Sequence, residues 1–125
     1  MQFDHDIQSS HADLFFCLRD IFLSFEAIHE IKNAKQTSYK DTHGHAIVLM
    51  RVRTDGVRVI FAQGAKLQPR YPFLLGDGKI VRHMVFRDIK EVDEGLIREM
   101  IEESLVLTME HREMQRMRRR LRHST

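Results

Sequence analysis

Positive side chains at Lys66, Arg70, Lys79 and Arg82, with His83 beside the last, fall within one stretch, Gly64 to His83, that also holds both prolines and three of the six glycines. Cations gathered on one loop suit an anionic ligand, and the candidate anion or ligand site read from the sequence is Lys66, Lys79, Arg82 and His83. Within it, Gly76-Asp77-Gly78-Lys79 has the makings of a phosphate cradle, because glycine amides and a lysine can meet an anion. A P-loop, however, needs a helix after its lysine to aim amides and dipole at the phosphate, whereas Ile80-Val81-Arg82 reads as strand. The residues are therefore read as a turn whose glycines take positive φ. His83 is either paired with a carboxylate, titrating near neutrality, or an ordinary half-buried sheet histidine.

The other reactive residue types do not combine. Among eight histidines, His29-Glu30 starts like the zinc motif His-Glu-x-x-His, but the fifth position is Asn33, so the ligand one helical turn away is missing. His43 and His45 supply two ligands at most and read as a polar turn. Cys17 is the only cysteine, which excludes an internal disulfide, and its place in a predicted helix interior gives its thiolate no support. No Gly-x-Ser-x-Gly elbow is present. With no nucleophile, metal triad or acid pair, the sequence predicts neither an enzyme nor a resident cofactor, and no catalytic or metal-ligating residue is named.

The elements that must position the loop follow from periodicity. Leu14, Leu18, Ile21, Phe25 and Ile28, widened by Phe15 and Phe22, predict a helix from Ala12 to Lys32, with Ser9 or Ser10 as cap and Asn33 as stop. Thr37-Ser38-Tyr39 and Ala46–Arg53 read as strands around the polar break Asp41-Thr42-His43-Gly44. Thr54-Asp55-Gly56 joins the second of them to Val57–Ala62 as a tight hairpin, and Val57, Val59 and Phe61 make one face of that arm apolar while the other is mixed. The Gly64–His83 stretch then turns the chain on the surface at the sheet's edge. Lys79–Arg87 reads as a further strand of ambiguous buried side. Asp93 caps a second helix, with Val92 and Ile97 placed as a hydrophobic staple and Leu96, Ile97, Met100, Ile101, Ser104, Leu105 and Thr108 facing the sheet.

That helix is expected to run on to Leu121, since no glycine or proline intervenes. Its end is basic: Arg112, Arg116, Arg118, Arg119, Arg120 and Arg122 against Glu113 leave that segment at +5, so within a net charge of +2 the remainder sums to −3. At 125 residues the chain is predicted to be one domain with a basic helical extension at about 112–125. The acidic start Met1-Gln2-Phe3-Asp4-His5-Asp6 is unlike a signal peptide, no apolar run approaches a membrane span, and a cytoplasmic protein is expected.

Gly64-Ala65-Lys66-Leu67, Leu74-Leu75-Gly76-Asp77-Gly78-Lys79 and Arg82-His83, in that order and spacing, resemble the signature of the YdhG-like family of small bacterial proteins of unknown function. Thr37-Ser38-Tyr39 stands where members carry a Pro-x-Tyr-like segment, here without the proline, and the likeness covers about residues 12 to 108. The resemblance implies an α+β fold, an antiparallel sheet flanked by an N-terminal and a long C-terminal helix, laid out like frataxin. It also implies, for some members, iron delivery through surface acids. Here those acids are Asp13, Asp20, Glu26 and Glu30 on the first helix or Glu99, Glu102 and Glu103 on the last. Carboxylates suit iron and solvation alike, so iron rests on family analogy alone.

The function expected is a binding or interaction module for a small anionic ligand or a protein. The alternatives are a frataxin-like iron carrier and weak, non-specific nucleic-acid binding through the arginine tail. A homodimer is also expected, joined through Met114, Met117 and Leu121 at the end of the second helix.

Overall fold

Five antiparallel strands lie side by side in chain order: β1 (His29–Lys32), β2 (Thr37–Lys40), β3 (Ala46–Arg53), β4 (Gly56–Phe61) and β5 (Arg82–Phe86). The structure, a computed structural model, describes residues 1–123. Helices α1 (Gln2–Asp6) and α2 (Ala12–Leu23) precede the sheet, α3 (Gly64–Leu67) interrupts the β4–β5 connection, and α4 (Glu94–His123) follows. This is an α+β fold. Among the described residues no helix is long and apolar enough to cross a membrane.

The β3–β4 hairpin forms where Asp55-Gly56 closes it, with Arg53 opposite Gly56 and Val52 opposite Val57. Gly56 has φ 147°, and a Cβ there would lie 2.1 Å from the Phe86 carbonyl oxygen on β5, so no side chain fits. Val57, Val59 and Phe61 point inward with Val48, Met50, Phe86 and Tyr39, and the helices supply Phe15, Leu18, Phe22, Ile97, Met100 and Ile101 from above. Each such side chain contributes about 1.5–3 kcal/mol on leaving water. The Phe22 and Tyr39 rings, 5.0 Å apart, tie α2 to β2.

The first helix is shorter than its apolar spacing predicts. It ends at Leu23, where the Ser24 hydroxyl donates to the Ile21 carbonyl and the Ser24 amide closes onto Asp20 and Ile21. His29–Lys32 becomes an edge strand instead, pairing Glu30 with Tyr39 and Ile31 with Ser38. Ile28 is buried in either conformation, so periodicity could not separate the two, and strand pairing decided it. Asn33 consequently opens the β1–β2 turn rather than stopping a helix. Neither Ser9 nor Ser10 caps α2. The cap residue is His11, and the Ser9 hydroxyl accepts from the His11 amide while donating to the Asp6 carbonyl, which shapes the turn after α1.

In α4 the expectations hold. The Asp93 carboxylate accepts from the Leu96 amide, and the helix continues unbroken for 30 residues, about 45 Å. Ile97, Met100, Ile101, Ser104 and Thr108 are its buried positions. Strand β5 begins at Arg82, later than predicted, with Ile80 and Val81 exposed before it.

The β4–β5 connection lies at the sheet's edge but is not wholly on the surface, because Leu67, Tyr71 and Leu74 are buried under α4 and β5. Gly64 makes this possible: a Cβ there would lie 2.3 Å from the Arg82 backbone nitrogen, so α3 can touch β5 only without a side chain. Gly64→Ala is expected to lower stability by about 1–3 kcal/mol, the range for forcing atoms into a packed site. Denaturant unfolding of the two proteins measures it, and an unchanged midpoint would show that α3 does not need this contact.

Candidate functional site

The four residues of the predicted anion site separate in space. Lys66 and Lys79 line one small recess, about 140 Å³, together with Ile80 and His111 from α4. Arg82 is turned inward to hold the loop, its Nε donating to Gln68 Oε1 at 2.9 Å and its Nη1 to the Gly78 and Val81 carbonyls. His83 occupies the opposite face of β5, where burial and then the Arg58 charge hold its imidazole below the usual pKa. Arg70 is engaged by Glu99 and Glu103 of α4. Gly76 takes φ 116°, which fits the turn reading of Gly76-Asp77-Gly78-Lys79. The sequence pattern missed His111, which lies 28 positions or more from the loop in the chain and carries no local signal.

Three of the seven acids that the resemblance made candidates for iron, Glu30, Glu99 and Glu103, are committed elsewhere. Glu30 is not on the first helix but on β1, where Arg19 donates to both carboxylate oxygens, at 2.6 and 2.9 Å, and the Tyr39 hydroxyl donates at 3.0 Å. Burial pushes this carboxyl's pKa up, but those hydrogen bonds, with the Arg19 and Lys32 charges, outweigh it and the net shift is downward. Burial and the Glu30 charge push the Tyr39 phenol up. Glu99 accepts from Tyr71 at 3.0 Å as well as from Arg70, and burial with these acids pushes the Tyr71 phenol up to about 12. Among the described residues no three His, Cys, Asp or Glu side chains come together as metal ligands. The Cys17 thiol is pushed up by burial, then by Asp20 and Glu94, so it stays protonated and a poor nucleophile.

A further candidate surface is the face of the sheet turned away from the helices, open at Ile31 and Leu75 and closed at Ser38, which is buried beside Asn33. Ile31, Ser38, Leu49, Ile60 and His83 stand in one register row across β1 to β5, and Leu75 bridges to His83 at its end. Ile31 and Leu75 are 43% and 52% exposed, and Leu49, Ile60 and Val85 are half-buried without joining the hydrophobic core. In the next rows the same face carries Arg51 opposite Arg58, and Arg53 opposite Gly56. The signal was present in the alternation of Arg58 and Ile60, read from the sequence only as a mixed face.

Beyond Arg112 the long helix leaves the domain. Met109, Met114, Met117 and Leu121 are 51%, 51%, 54% and 68% exposed along it, and arginines surround them. The Arg112 guanidinium meets His43 of the β2–β3 turn, fixing the direction in which the helix departs.

No family model, curated protein or solved structure matches this chain.

The Glu30 cluster carries a prediction of sign. A carboxyl with its pKa depressed by folding contributes stability that is present above its unfolded pKa, about 4.3, and is lost as pH falls through the folded value. Glu30→Gln should therefore cost about 2 kcal/mol at neutral pH and less below pH about 4, where the two proteins converge. Urea unfolding at both pH values tests this, and a pH-independent difference would assign the loss to packing alone.

Proposed function

We propose that this chain is a non-catalytic interaction module that docks a partner on the outer face of its sheet. The observation that carries the reading is the row from Ile31 through Leu49 and Ile60 to Leu75, largely aliphatic although it lies on the face without helices. Sheet positions turned to water are ordinarily polar, and a contiguous apolar surface rimmed by charge marks a binding site. The loop cations support an anion site less well, since Arg70 and Arg82 are already engaged within the chain. Residues that carry the likeness to the YdhG-like family, Gly64, Gly76 and Arg82 among them, serve to seat the loop against β5, so the likeness supports a shared architecture rather than a shared ligand.

A second reading concerns the overhanging part of α4. Its arginines radiate from a helix that outruns the sheet, a form suited to phosphate backbones, and no aromatic interleaves them to stack on bases. Deleting residues 116–125 is expected to abolish retention on DNA or RNA at low salt, and retention that survives the deletion removes this reading.

For the sheet face, the native protein should enhance the fluorescence of the apolar dye anilinonaphthalene sulfonate. Leu49→Thr with Ile60→Thr should remove most of that signal at an unchanged melting temperature, threonine being at home in strands. Reproducible turnover of any substrate, or dye binding indifferent to both changes, sinks the reading.

A further inference from the structure

The occupant of this face can be read from its charge. By register, the outward positions of the five strands include Lys40, Arg51, Arg53 and Arg58, and not one of them is aspartate or glutamate. The acids of the neighbouring chain lie at the margins, Asp55 at the hairpin tip and Asp77 beyond Leu75, while Glu30 faces inward. Arg51, Arg53 and Arg58 make no salt bridge within the described residues, and the Arg58 Nε is buried with no hydrogen-bond partner. Arg51 feels the longer-range pull of Asp6, Arg58 repels the charged form of His83, and Arg51 and Arg53 line a recess with His5 and Asp6 of α1. A surface that concentrates cations beside an aliphatic row, in a chain whose domain carries net negative charge elsewhere, is complementary to something acidic on one side and apolar on the other.

We propose that the outer sheet face binds an acidic amphipathic helix of a partner protein, its aliphatic edge along Ile31, Leu49, Ile60 and Leu75 and its carboxylates on Arg51, Arg53 and Arg58. The inference rests on the reading of this face as a docking surface and names what docks. The dimensions agree. Neighbouring strands are spaced about 4.8 Å apart, so the row spans about 24 Å, the length of about 16 helical residues. Helix positions three and four apart advance by about 4.5 and 6 Å, which straddles the strand spacing and lets one side chain settle against each strand.

Two other occupants fit less well. Single-stranded nucleic acid would find phosphate partners here but little stacking platform, since none of the outward strand positions is Phe, Tyr or Trp. A second copy of this chain presents its own exposed apolar seam on an arginine-rich helix, and cations would then face cations. The acidic helix alone satisfies both the row and the charge.

The probe is a fluorescein-labelled peptide of about 18 residues with leucines spaced i, i+3, i+4, i+7 and glutamates flanking them, its anisotropy followed against the full chain. Binding is expected with a gain of helical circular dichroism and with an affinity that falls as salt rises. Arg51→Gln with Arg58→Gln should weaken it about tenfold, and Leu49→Thr with Ile60→Thr should abolish it. Each variant is first checked for an unchanged melting temperature, with Arg53→Gln as the replacement where a double variant does not fold. A lysine-for-glutamate peptide binding equally well overturns the proposal, as does affinity unchanged in the arginine variant. Failure of the acidic peptide while dye still binds at Leu49 and Ile60 overturns this inference and leaves the docking surface standing, whereas failure of both removes the two together. A single-stranded RNA oligonucleotide that binds and is released by the same arginine changes would assign the face to the other class of partner and overturn the acidic helix.

Discussion

A carboxylate held under the helix layer, Glu30, is the constraint on which the rest of the arrangement depends. Its oxygens are tolerable away from water only because a guanidinium and a phenol both donate to them. Arg19 brings α2 over the sheet, Tyr39 brings β2 beside β1, and neither contact exists unless residues 29 to 32 are extended. The same Arg19 lies 5.4 Å from the Phe3 ring, and Lys32 lies 4.0 Å from it, so α1 is gathered onto this corner as well. One part-buried charge thereby orders three elements, and its side of the sheet becomes the side where helices collect.

The opposite corner is governed by space rather than charge. At Gly64 and Gly56 the chain passes so close to β5 that backbone meets backbone, Gly56 opening β4 and Gly64 opening α3 just beyond its other end. Strand β5 is thus gripped from each end of its neighbour, while Arg82 threads the carbonyls of the loop. The cations that looked like an anion site in the sequence are partly the fasteners of this junction. What remains uncommitted is the other side of the sheet, because all the devices that recruit helices work from one face.

Much of the architecture was legible. The β3–β4 hairpin, the capped start of α4 and its long continuation followed from Asp55-Gly56, Asp93 and the absence of breakers, all of them local signals. The stretch from Phe25 to Lys32 was not, because Ile28 satisfies a helical stripe and a strand equally and the deciding partners, Arg19 and Tyr39, are tertiary. For the site the difference is sharper. Lys66, Lys79, Arg82 and His83 are neighbours in the chain, yet strand alternation sends His83 to one face and Arg82 to the other. The row that crosses the sheet draws one residue from each strand, and a pattern distributed in that way has no sequence window in which to appear.

The order of the strands has a consequence for how the molecule comes to be. Because β1 to β5 pair only with their neighbours in the chain, the sheet can zip from one turn to the next with little loop entropy to overcome. The helix layer cannot. Arg98 reaches Ser24 across 74 residues, and α4 follows every strand of the sheet in the chain. During synthesis Val48, Met50, Val57 and Val59 are therefore already aligned on a formed surface while the helix that shields them is still inside the ribosome. Until α4 docks, the part of the inner face that it covers is apolar and open beside the aliphatic row of the outer face, which is when a chaperone has the most to hold.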